Sequence, residues 1–222
     1  MLMKKTIPAY LVVGLIPLTA LLFGACSHRS SLPTMKSDSA SNASVAQMDH
    51  GAMGNMTLGP ADENFDLRFI DGMIPHHEGA VVMAEEALQK SNRTEIKALA
   101  QAIIAAQEQE ISELQAWRSA WYPNASAEPM MYNAEMGHMM PMTDEMRASM
   151  MMNGDLGAAD DQFDLRFINR MIPHHQGAID MAQQALEKSS RPEIKAMAQN
   201  IITSQQQEID QMMQWRAEWY PQ

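Results

Sequence analysis

Apolar positions in residues 62–123 recur in alternating steps of three and four, and the same steps recur in residues 160–221. In the first segment Phe69, Met73, His76, Ala80, Met83 and Ala87 fall on one face of a helix. Ile96, Ala100, Ile103, Gln107, Glu110, Leu114, Trp117 and Trp121 fall on one face of a second. Each segment therefore predicts a hairpin of two amphipathic helices. One hairpin cannot bury its own stripe, whereas two packed together make a four-helix bundle, so the predicted fold class is all-α.

The two segments are one module written twice, identical at 38 of 62 aligned positions without a gap. Asn92 with Glu95, and Ser190 with Glu193, have the spacing of a capping box and predict the start of each second helix. Pro192 falls in a first turn, where its missing N–H costs little. Tyr122-Pro123 and Tyr220-Pro221 predict the stops. Pro75 and Pro173 lie inside the first helices, where each removes a backbone hydrogen bond, so a kink is expected just before the histidines.

Outside the modules the pattern vanishes. Residues 1–25 have a basic start at Lys4 and Lys5, an apolar run from Ile7 to Phe23 and small residues before Cys26, the order of an export signal. Cys26 is the single cysteine, which excludes an intramolecular disulfide, and its place suits the lipid-modified first residue of a bacterial lipoprotein. A lipid there would tether the chain to a membrane surface without spanning it. Residues 26–61 lack an apolar period and read as a flexible tether. Residues 124–159 hold 10 methionines and read as a Met-rich linker between the hairpins of residues 62–123 and 160–222.

Removal of Lys4 and Lys5 with the signal leaves 14 basic against 27 acidic residues. Such a chain repels phosphate backbones, so nucleic acid is not expected as a partner.

The chemistry gathers in a few places. Each module carries a Met-Ile-Pro-His-His run, Met73 to His77 and Met171 to His175, with Met83 and Met181 further along the same faces. The second-helix stripes are interrupted by Gln107 and Glu110, and by Gln205 and Glu208. Buried Gln and Glu need partners, and histidines across the seam would supply them. Two readings stand side by side: a His–Glu network that fixes helix register and binds nothing, or a metal site in which the glutamate ligates or orients a ligand histidine. Asp66 is a weaker candidate on the same face, since an acid is also what the first turn of a helix favours. Met48, His50, Met53 and Met56 in the tether, and Met136, His138, Met139, Met140 and Met142 in the linker, lie among Gly and Pro with no stripe to fill. Thioether and imidazole suit Cu(I), with Ag(I) as mimic, and thioethers survive where thiolates would oxidise.

At these residues the chain resembles the family called domain of unknown function 305. Its Met-Ile-x-His-His-x-x-Ala-x-x-Met-Ala helix is filled by Met73 to Ala84 and by Met171 to Ala182, and its Gln-x-x-Glu-Ile helix by Gln107 to Trp117 and Gln205 to Trp215. The resemblance implies a ferritin-like helical bundle, often exported, with some tandem members binding copper in the periplasm for copper tolerance. The two helical modules contain no Glu-x-x-His of the kind four-helix di-iron proteins use, and the chain has no Gly-x-Ser-x-Gly or phosphate-binding glycine loop, so no catalytic residue is expected. The expected protein is a membrane-anchored, extracytoplasmic copper carrier or store, working with copper-handling partner proteins. A metal-dependent redox enzyme and a structural stress protein without metal are the alternatives.

Overall fold

The computed structural model describes residues 57–221. The export signal, Cys26, and the tether cluster of Met48, His50, Met53 and Met56 lie outside the described residues. The described chain runs α1 (Phe65–Lys90), α2 (Thr94–Trp121), β1 (Met130–Asn133), β2 (His138–Pro141), α3 (Asp144–Met151), α4 (Phe163–Lys188) and α5 (Pro192–Trp219). Among the described residues no helix is long and apolar enough to cross a membrane.

α1 packs on α2 and α4 on α5, and the hairpins join along α1 and α4. The predicted stripes are the buried faces: Phe69, Met73, His76, Ala80, Met83 and Ala87 have no exposed surface, nor have Ile96, Ala100, Ile103 and Leu114. Tyr122 and Tyr220 cap the C-termini of α2 and α5, and Pro192 opens α5. α1 continues through Pro75, and α4 through Pro173, without a break in the helix. The capping boxes do not form. The N-caps are Arg93 and Arg191, one residue later than the spacing suggested, and neither makes a side-chain cap. Instead Ser91 and Ser189 accept from the N–H of Arg93 and Arg191 at 3.1 Å, turning the chain before the helix begins.

The interior is two apolar half-cores with a polar layer between them. One gathers Phe65, Phe69 and Met73 of α1, Leu114 of α2, Ala178 to Ala185 of α4 and Ile194 to Ile201 of α5. The other gathers Phe163, Phe167 and Met171 of α4, Ala80 to Ala87 of α1, Ile96 to Ile103 of α2 and Met212 of α5. Each helix thus passes from one half-core to the other. The residues at the crossing are His76-His77, His174-His175, Gln107 with Glu110 and Gln205 with Glu208. Cross-hairpin pins sit at the ends: Arg93 pairs with Asp164 and Arg191 with Asp66, both at 3.4 Å. The same guanidiniums lie 4.1 Å over Trp219 and Trp121. Contacts of this kind contribute about 1 kcal/mol each, so they fix register while apolar burial supplies most of the stability. Asp66 is thereby a structural partner of Arg191.

The linker is not structureless. Residues 130–141 form an antiparallel hairpin and residues 144–151 a helix capped by Thr143, which accepts from the Met146 N–H. No apolar period announced them, because a four-residue strand and an eight-residue helix are too short to show one. Both dock on α1, where the two modules differ in sequence. Asp71 accepts from Arg118 Nε at 2.5 Å and from the Met130 N–H at 2.8 Å, whereas its counterpart Asn169 bonds only Arg216 among the described contacts. Glu78 pairs with Arg147, while its counterpart Gln176 bonds Asp180 of its own helix. Gly72 lies beside Leu58, Met181 and Met150, while its counterpart is Arg170.

The tether also ends earlier than residue 61. Leu58 is buried in the first half-core and Leu156 in the second. Their carbonyls accept from Arg68 and Arg166, each at 2.5 Å, after which Gly59 and Gly157 turn at φ of 82° and 81°. The signal for this was present as Leu-Gly-x-Ala-Asp at 58–62 and again at 156–160.

Candidate metal centre

α1 and α4 meet at their histidines. The rings of His76 and His174 lie 3.9 Å apart between centroids, tilted by 49°. His77 and His175 flank them at 6.4 and 6.3 Å from their inner neighbours. All four are fully buried. The sequence suggested two related sites, one per hairpin. The fold brings the inner histidine of each module into a shared pair.

The outer histidines face the stripe glutamates as expected. His175 Nε2 lies 2.6 Å from Glu208 Oε2 in a hydrogen bond. His77 Nε2 lies 2.8 Å from Glu110 Oε2, close but without hydrogen-bond alignment. His174 Nε2 lies 3.1 Å from the carbonyl oxygen of Met151 at the end of α3. Nδ1 of each of the four histidines is buried with no partner, as is Nε2 of His76. Unpartnered buried polar atoms are uncommon and costly, and four imidazoles in one layer point to a ligand.

Electrostatics keep the inner pair neutral. Burial, reinforced by the neighbouring histidines, holds His76 well below the usual imidazole range. Burial and the charges of His175 and His77 bring His174 down to about 3, opposed by the backbone of Met151 and of His76. A neutral imidazole with a free ring nitrogen is the metal-ligating form. Among the described residues no three His, Cys, Asp or Glu side chains gather at coordination spacing. The four histidines thus do not form a three-ligand set as they stand, and imidazole is a donor that suits copper among other transition metals.

The interior methionines do not surround the histidines as one group. Met73 shares a half-core with Met181, and Met83 shares the other with Met171, all without exposed surface. They stand on either side of the polar layer. Gln107 and Gln205 are buried in that layer, each with an unpartnered Oε1. In the linker the sulfurs are divided. Met139 Sδ accepts from Arg68 at 3.3 Å, Met140 Sδ lies 3.5 Å from Asn133 Nδ2, Met136 is exposed at the hairpin turn, and Met142 is half-buried after β2. His138 is exposed on the hairpin. Sequence reasoning missed Gly79, where a Cβ would collide with the Met151 carbonyl that His174 contacts. The linker backbone therefore reaches the histidine layer only because residue 79 is glycine. Its helix stripe gave no sign of that, since the approach is a tertiary contact.

The histidine-containing helical bundle defines the class, and the relatives agree with it. The chain belongs to the DUF305 family, described as a domain of unknown function, whose model matches residues 66–216. It is similar to CopM solved in the Cu(I)-bound form, at 39% identity over 70% of this chain and 97% of that one, with a TM-score of 0.54. CopM in the Cu(II)-bound form is similar at 41% identity over the same shares, with a TM-score of 0.56. CopM has also been solved with Ag bound. A DUF305 fragment from Deinococcus radiodurans is similar at 28% identity over 69% of this chain and 95% of that one, with a TM-score of 0.51. Among curated proteins, an uncharacterised protein of Acanthamoeba polyphaga mimivirus is 45% identical over 49 residues, which is 22% of this chain. The match spans about a third (32%) of that relative's length.

Proposed function

We propose that this is an extracytoplasmic copper-binding protein that takes Cu(I), with Ag(I) as a mimic, and sequesters the ion or hands it on in copper tolerance. The observation that carries the reading is the His76–His174 pair: buried, held neutral, and with Nδ1 of both rings left without a partner. The solved CopM structures with Cu(I), Cu(II) and Ag support the choice of metal. Copper is cargo here, and the chain acts by binding rather than by catalysis. The export signal and Cys26 support a lipid anchor at a membrane surface, where copper-handling partner proteins would meet it.

The hydrogen bond between His175 and Glu208 favours a narrower role for the outer histidines. A carboxylate on Nε2 fixes ring and tautomer and leaves Nδ1 free, the arrangement by which a second shell orients a ligand. Glu208 is a positioning residue in this reading, and Glu110, 2.8 Å from His77 Nε2, is its counterpart in the first module.

Metal analysis of the mature protein, purified under reducing conditions from copper-grown cells, is expected to find copper. Protein that carries none and takes up neither Cu(I) nor Ag(I) in vitro would overturn the reading. Cys26→Ser should move the protein from the membrane to the soluble fraction; an unchanged membrane fraction would remove the anchor.

A further inference from the structure

The β1–β2 hairpin has two faces with different occupations. Its register sets Met131 opposite Met140 and Asn133 opposite His138, with Met130 opposite Pro141 and Tyr132 opposite Met139. Side chains alternate across a strand, so Met131, Asn133, His138 and Met140 share one face, and Met130, Tyr132, Met139 and Pro141 share the other. The second face turns inward. Tyr132 lies 5.5 Å from the Arg68 guanidinium and fills the space beside Gly59, and Met139 Sδ accepts from the same arginine, which is 1% exposed. On the first face Met131 and Met140 are half-buried and His138 is exposed.

We propose that this first face is a separate site for Cu(I) or Ag(I), held by the thioethers of Met131 and Met140 and by Nε2 of His138. The site rests on the reading of the protein as a Cu(I) binder, though not on the buried histidines. Directly opposed residues of an antiparallel pair bring their Cβ atoms to about 5 Å, close enough for two thioethers to share an ion. Asn133 Nδ2, 3.5 Å from Met140 Sδ, marks the side on which that sulfur lies. His138 Nδ1 lies 2.8 Å from the Met139 carbonyl oxygen. A carbonyl can only accept, so Nδ1 carries the hydrogen and the exposed Nε2 keeps its lone pair, as a ligand histidine requires. The turn is held by the Gly137 N–H on the Asn133 carbonyl and the Met136 N–H on Asn133 Oδ1, both at 2.8 Å, with Gly137 at a φ of 70°. Two sulfurs and one nitrogen on a closed hairpin make a soft, three-donor set. Met131 joins it, although it lies outside the Met136–Met142 run that drew attention in the sequence. Met139, within that run, is excluded by its orientation.

The test is a Cu(I) competition titration of the full mature chain under reducing conditions, comparing Met131→Leu with Met139→Leu, with far-UV circular dichroism to check folding. Met131→Leu and His138→Gln should each lose one ion from the stoichiometry, and Met139→Leu should keep it. A Met131→Leu protein that binds like the wild type, or a Met139→Leu protein that loses the ion, overturns the proposal. In the unsubstituted chain, Ag(I) should shift the methionine methyl resonances of Met131 and Met140 and leave that of Met139. If Cu(I) binds while the hairpin methyls stay unmoved, only the hairpin site falls. If the wild type takes up no Cu(I), the broader reading falls with it.

Discussion

His76 and His174 come from modules 98 positions apart in sequence, and their rings lie 3.9 Å apart at the crossing of α1 and α4. One ion between them would draw a ligand from each hairpin. His76→Gln and His174→Gln should therefore each remove the same buried ion, and the double variant should lose no more than either single one. Cu(I) competition titrations on the three proteins check this. Additive losses would mean two separate sites, one per hairpin.

The same burial makes stability depend on pH. In the folded chain His174 titrates at about 3 and His76 well below the usual range, whereas unfolded histidine titrates near 6.5. Between those values the unfolded chain binds protons that the folded chain refuses. The stability from neutral burial is complete above about 6.5 and is lost as pH falls from there toward 3, by about 1.4 kcal/mol per pH unit for each histidine. Urea denaturation of metal-free protein at several pH values should show this slope, and replacing both inner histidines by Gln should flatten it. Copper at the inner pair should accordingly survive at pH 5. The ordinary imidazole value would have placed its loss near 6.5, but depressed pKa values leave protons poor competitors for the ring nitrogens.

Gly79 offers a separate handle on the linker. An alanine there favours α1 itself by about 1 kcal/mol, yet its Cβ would strike the Met151 backbone. Gly79→Ala is expected to leave the melting of the bundle unchanged or raised, while amides of residues 144–152 lose hydrogen-exchange protection. Retained protection in α3 would contradict the docking of α3 on α1.

Leu58 tests where the fold begins. It is buried in a half-core ahead of α1, and Leu58→Ala should cost about 2 to 5 kcal/mol, comparable with Leu156→Ala. Chemical denaturation measures both. A neutral Leu58→Ala would place residues 57–61 outside the cooperative unit.

Periodicity alone determined the four long helices and their buried faces, because a stripe such as Phe69, Met73, His76 and Ala80 is a local property of a helix with 3.6 residues per turn. It also marked His76, His77, Gln107 and Glu110 as polar interruptions of an apolar seam; the structure buries the first three and leaves Glu110 half-buried beside His77. Only the tertiary structure decided which histidine meets which. The crossing of α1 and α4 joins His76 to His174, and a repeat read by itself cannot say whether its copies pack side by side or face to face. The helix starts at Arg93 and Arg191 were misplaced by one residue, since a serine turn competes with a capping box at nearly the same spacing. The linker was the least legible part. Its strands and helix are too short for a period, and their order comes from contacts with Asp71, Glu78, Arg68 and Gly79, which lie more than 50 positions away from them in sequence. Which face of the hairpin a methionine takes, that of Tyr132 for Met139 or that of His138 for Met140, is set by strand register, and register exists only once the chain has folded back on itself.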